Sequence, residues 1–117
     1  IYSGRVFPAS EALEKGLVSA LHAPESLMDA ARALAHEYAD HTAPVSSALT
    51  RQLCWRMLGA SHPMEAHRAE SRALMARGGS DDAVEGVKSF FEKRPANFTD
   101  RVSSLPDVFP DWVDPEF

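Results

Sequence analysis

Five prolines constrain this chain more than any other feature. Pro8, Pro24, Pro44, Pro63 and Pro95 stand at the edges of segments whose apolar residues recur with helical spacing. Proline suits a helix's first turn and breaks its interior. The pattern predicts a mainly α chain with about five helices. The first spans about Pro8 to Lys15, and Gly16 offers a left-handed stop. Leu17-Val18-Ser19-Ala20-Leu21 alternates with period two and predicts one short strand. A second helix covers Pro24 to Asp40, with Leu27, Ala31, Leu34, Ala35 and Tyr38 on one stripe.

The third helix, Pro44 to Gly59, has a broad apolar face of Val45, Ala48, Leu49, Leu53, Met57 and Leu58. It is expected to be the most buried. The fourth, Pro63 to Arg77, has a thin stripe of Met64, Leu74 and Met75 with small residues between. That composition suits a helix docked on a neighbour. Ser80 is placed to cap the fifth helix, with Asp81 and Asp82 in its first turn. Ala83, Val84, Val87, Phe90 and Phe91 form its stripe before Pro95. After Thr99 the chain turns acidic and proline-rich, yet keeps Leu105, Val108, Phe109, Trp112 and Phe117. These residues predict an extended arm packed on a surface, its own or a neighbour's.

Composition narrows the function classes. The 117 residues suffice for one domain, and a hydrophobic content of 44% can build a core. Lys and Arg number 12 against 17 Asp and Glu, a formal charge of −5. A nucleic-acid partner is not expected, because neutralising phosphates takes a basic face. No apolar run is long enough for a membrane span. The single cysteine, Cys54, excludes an internal disulfide framework and fits a reducing, cytoplasmic setting. The chain opens on Ile1 without a signal-peptide pattern, which suggests a processed or truncated product.

Few residues group into catalytic patterns. Cys54 sits between Leu53 and Trp55 on the helix expected to be buried, so it reads as an apolar filler. His22, His36, His41, His62 and His67 lack metal-ligand spacing, and no metal site is expected. Glu11, Glu14, Glu65 and Glu70 read as solvated surface charge. Phe90-Phe91-Glu92-Lys93-Arg94-Pro95 admits two readings. Two cations beside an aromatic pair could hold a phosphorylated, base-containing ligand. Alternatively, Lys93 and Arg94 only complement a helix C-terminus, and spacing alone favours this.

Two longer phrases carry a resemblance. Ser3-Gly4-Arg5-Val6-Phe7-Pro8-Ala9-Ser10 continues to Gly16-Leu17-Val18. This resembles the segment "TG-x-x-(S/P)-A-x-x-A-x-x-x-GLV" of the enoyl-CoA hydratase/isomerase (crotonase) family, with Ser3 in place of the usual threonine. Downstream, the stretch from Ser80 through Glu85-Gly86 and Phe90-Phe91-Glu92-Lys93-Arg94 to Phe98 is similar to that family's closing phrase. Ser89 stands where many members have alanine. The resemblance covers about residues 1–101.

It implies the C-terminal part of an α+β crotonase-type spiral fold. Residues 1–22 would end the spiral core, 23–98 would form a helical trimerisation region, and 99–117 an acidic, aromatic tail. The implied activity is enoyl-CoA hydration, with an acyl-CoA thioester as substrate and no resident cofactor. The partners would be copies of the same enzyme, in a homotrimer or dimer of trimers. The catalytic glutamates and oxyanion-hole amides of the family lie upstream of the first phrase, so no catalytic residue is assigned here. Phe90 and Lys93 match positions that approach the CoA adenine and its ribose phosphate. An isomerase, hydrolase or decarboxylase of the same family is an alternative, as is a non-enzymatic helical assembly module.

Overall fold

The computed structural model describes residues 2–113. Its elements are five α-helices and one 3₁₀ turn: α1 (Ala9–Glu14), α2 (Pro24–His41), α3 (Pro44–Met57), α4 (Pro63–Gly78), α5 (Asp81–Glu92) and the turn Val102–Ser104. The chain forms two compact units, Ile1–Tyr38 and Ala39–Phe117.

In the first unit, Pro8 is extended and α1 begins immediately after it. The helix stops at Gly16, whose φ of 71° is left-handed. There Leu17 N–H donates to the Ala12 carbonyl at 2.8 Å, and Gly16 N–H donates to that of Leu13 at 3.0 Å. This paired closure satisfies carbonyls that α1 would leave orphaned. The strand expected over Leu17–Leu21 does not form, and no strand occurs among the described residues. Its alternating pattern has no second strand to complete a ladder. The predicted α2 stripe is present but uncovered: Leu27, Leu34 and Tyr38 are exposed, and α2 contains no buried residue.

The second unit has the larger core. Val45 and Leu49 of α3 meet Ala69 and Ala73 of α4, and Val108 and Phe109 of the tail complete the cluster. Leu53, Met57 and Leu105 pack around it. The two alanines explain the arrangement, because small side chains on α4 leave room for α3 and the tail to approach. Burying each Val, Leu or Phe side chain contributes about 1.5–3 kcal/mol, so the tail's two residues matter as much as either helix face. Polar contacts hold the arm: Arg72 Nε donates to the Val108 carbonyl at 2.9 Å. The Arg56 guanidinium lies 4.6 Å from the Phe109 ring centroid and 5.0 Å from that of Trp112. The arm therefore packs on its own chain through Phe109 and Trp112, while Val113 is exposed; Phe117 lies outside the described residues.

Three expectations are corrected. On α4, Met64, Leu74 and Met75 face outward, and the alanines between them are the buried face. On α5, Val84, Val87, Phe90 and Phe91 are exposed, whereas Asp82 and Ser89 are buried. Cys54 is exposed rather than an interior filler, and so is its neighbour Trp55. In each case periodicity identifies an apolar face without saying what covers it. α3 spends its buried turns on Val45 and Leu49, which leaves Cys54 outside the packed stripe.

Candidate functional site

The site residues predicted from sequence lie at the C-terminal end of α5. Ser80 starts this helix, its hydroxyl accepting from Ala83 N–H at 3.2 Å. Asp81 and Asp82 occupy the first turn, where carboxylates are favoured by the helix dipole. The helix ends at Glu92, before Pro95 is reached, because Lys93 turns left-handed with φ 56° and ψ 37°. Lys93 is the only non-glycine among the described residues with positive φ. Arg94 N–H donates to the Ser89 carbonyl at 3.1 Å, and Lys93 N–H to that of Phe90 at 3.4 Å.

This turn brings the two predicted residues together. Lys93 Nζ lies 5.0 Å from the Phe90 ring centroid, within cation–π range. Phe90 also meets Phe91 edge-on, with centroids 5.8 Å apart. Both rings are exposed, and no carboxylate among the described residues pairs with Lys93. A free ammonium beside an open aromatic face can take a phosphate and a stacked base together.

The second cation has a different role. Arg94 Nη1 and Nη2 reach the two Glu85 oxygens at 2.5 and 2.8 Å. Its Nε donates to Glu92 at 2.6 Å, and Nη1 also reaches the Pro95 carbonyl at 3.0 Å. All three guanidinium nitrogens are thereby engaged within the protein. The Arg94 fork, followed by Asn97 N–H donating to Oε1, holds the Glu85 carboxyl down at about 2 against an ordinary 4.5. Glu85 and Glu92 in turn push the Arg94 guanidinium upward.

One turn earlier, Asp82 accepts from Thr99 N–H at 2.7 Å and Asp100 N–H at 3.1 Å. Arg77 bonds Asp100 and approaches Asp82 at 3.9 Å. Segment 94–100 therefore returns along the polar face of α5. Gly86 sits within this return: a Cβ there would lie 3.7 Å from Phe98 Cε1. Sequence reasoning missed this pairing, since Glu85 and Arg94 are nine residues apart and cannot meet along a helix. The available signal was the phrase itself, which holds Glu85-Gly86, Arg94 and Phe98 within one stretch of the sequence. His62, read only as a non-ligand, caps α4 by accepting from Met64 N–H at 3.1 Å.

Elsewhere, a concavity beside Trp112 is lined by Arg68 and Arg72 together with Glu65 and Asp111, a balanced set without charge preference. Among the described residues, no three His, Cys, Asp or Glu side chains cluster as a metal site. No helix among them is long and apolar enough to cross a membrane.

The family model for enoyl-CoA hydratase/isomerase matches residues 1–101. The chain belongs to the enoyl-CoA hydratase/isomerase family. Among its curated relatives, "Enoyl-CoA hydratase ACTT3" of Alternaria alternata is 39% identical over 99 residues, covering 84% of this chain and 33% of that protein. A "Putative enoyl-CoA hydratase" of Thermus thermophilus is 35% identical, covering 84% of this chain and 38% of its own length. The chain thus spans about a third of the length of the curated relatives it matches. A solved structure of a probable enoyl-CoA hydratase/isomerase from Mycobacterium abscessus superposes with a TM-score of 0.78 at 31% identity, covering 84% of this chain and 38% of that one. Within this hydratase/isomerase segment, α5 and its returning strap fall inside the matched residues, whereas the arm beyond Arg101 falls outside them.

Proposed function

We propose that this chain serves as the C-terminal segment of an enoyl-CoA hydratase, which adds water across the double bond of a 2-enoyl-CoA. The reading is supported by the exposed Phe90–Lys93 pair, lying in a segment shared with proteins named enoyl-CoA hydratases. Lys93 would hold the CoA 3′-phosphate as a point charge and Phe90 would stack with the adenine. The carboxylates that move protons, and the backbone amides that stabilise the enolate oxygen, are assigned to the other two-thirds of the enzyme. No residue described here receives a catalytic role.

The exposed apolar faces of α2 and α5 support a further part of the reading. Residues 23–98 would bury these faces in a trimer or dimer of trimers, after residues 1–22 complete the spiral core. Leu27, Leu34 and Tyr38 on α2, and Val84, Val87, Phe90 and Phe91 on α5, are exposed, and contiguous apolar surface of this kind marks an interaction face. A cytoplasmic setting belongs to the same reading.

Kinetics with crotonyl-CoA test it. The 117-residue chain alone is expected to show no hydration. In the full-length protein, Lys93→Ala should raise KM by roughly fivefold, the scale of an exposed ion pair, with kcat little changed. The effect should shrink at high salt and disappear with the dephospho-CoA thioester. An unchanged KM would remove Lys93 from the site. Isomerisation without hydration by the full-length protein would favour the isomerase reading.

A further inference from the structure

The end of α5 contains a pairing that the nucleotide reading does not use. Lys93 occupies a left-handed conformation that side-chain-bearing residues rarely adopt, at φ 56°. Its ammonium lies over Phe90 at the point where the chain reverses. The reversal is held at both ends of the returning segment. At the near end, the Arg94 fork grips Glu85, and Asn97 N–H donates to the same carboxylate at 2.7 Å. At the far end, buried Asp82 takes the amides of Thr99 and Asp100.

We propose that Glu85 and Arg94 are positioning residues: their ion pair fixes the reversal whose apex is Lys93, and so sets the ammonium over Phe90 for the nucleotide end of a CoA thioester. This rests on the nucleotide reading above. Geometry separates the two cations: Arg94 is directed inward with its nitrogens engaged, and Lys93 is directed outward with its ammonium available. The carboxylate needs no particular neutral pH to serve, since Glu85 remains ionised far below it. Releasing the fork would leave Lys93 free to exchange its left-handed conformation for others, so that its ammonium is no longer fixed relative to the ring.

A double-variant cycle on the full-length protein tests the inference, reading Kd for CoA and for dephospho-CoA by calorimetric titration. Lys93→Ala should weaken CoA binding roughly fivefold, and Glu85→Gln roughly threefold, both within the range of solvent-accessible ion pairs. In the Lys93→Ala background, Glu85→Gln should add nothing. With dephospho-CoA, Glu85→Gln should also have little effect. A purely structural Glu85 would lower affinity equally in both backgrounds and for both ligands, and that result overturns the inference. So does a silent Glu85→Gln beside a damaging Lys93→Ala, a result that leaves the nucleotide reading intact. A silent Lys93→Ala removes the nucleotide reading and the inference with it. Arg94→Gln, carried through the same cycle, reads the pair from its other partner if Glu85→Gln fails to fold.

Discussion

Helices α1 and α5 end in the same hydrogen-bond pattern with different residues at the left-handed position. At α1 the residue is Gly16, φ 71°; at α5 it is Lys93, φ 56°. In both, the amide after the left-handed residue closes on a carbonyl five positions earlier: Leu17 on Ala12, Arg94 on Ser89. Glycine has no Cβ and accepts this geometry without strain. A lysine there costs on the order of 1 kcal/mol. Gly16 closes its helix by local preference, without an ion pair of its own. Lys93 is held by a network around it: Glu85, Arg94, Asn97, and beyond them Asp82 with the amides of Thr99 and Asp100. A residue that is locally unfavourable and externally supported points to a use for its side chain.

The comparison can be broken at its glycine end first. Gly16→Val should destabilise the fold by about 1–2 kcal/mol, through backbone strain alone. Nothing lies within 4 Å of a Cβ at Gly16, so the Cβ itself meets open space. Chemical denaturation of the full-length protein measures this, and a neutral result would mean the α1 turn tolerates any residue. At the other end, Lys93→Gly should stabilise by a few tenths to about 1 kcal/mol, since relief of the left-handed strain is partly offset by the looser unfolded chain. The same variant should weaken CoA binding, so stability and affinity should move in opposite directions. A loss of stability would show that the lysine is accommodated without strain.

Two smaller effects sharpen the contrast. Gly86→Ala should be stabilising by roughly 0.5 kcal/mol, because alanine is the better helix former and its Cβ meets Phe98 at ordinary contact distance. A marked destabilisation would instead make Gly86 a required opening for Phe98. Acid should act on the α5 end through Glu85. Glu85 binds its proton more weakly folded than unfolded, so its pair stabilises fully above pH 4.5 and loses that contribution as pH falls toward about 2. Glu85→Gln should flatten the stability profile in that window, as followed by thermal melts at stepped pH. A profile unchanged by the substitution would deny the pair its role.

What sequence determines here is local. Helix starts at Pro24, Pro44 and Pro63 follow from proline's fixed φ and missing N–H, and the Ser80 cap from its hydroxyl. The stop at Gly16 follows from glycine's freedom, and the tail's burial from Val108 and Phe109 being too apolar to stay solvated. Phe90 and Lys93 were legible as neighbours because three residues separate the start and end of one helical turn. Tertiary structure decided the rest. Period two in Leu17–Leu21 could not make a strand without a partner to hydrogen-bond. The apolar stripes of α4 and α5 could not choose the inside, because the inward positions went to small alanines and to carboxylates with long-range partners. Glu85 and Arg94 are nine residues apart, and only a chain that reverses at Lys93 brings their charges within bonding distance.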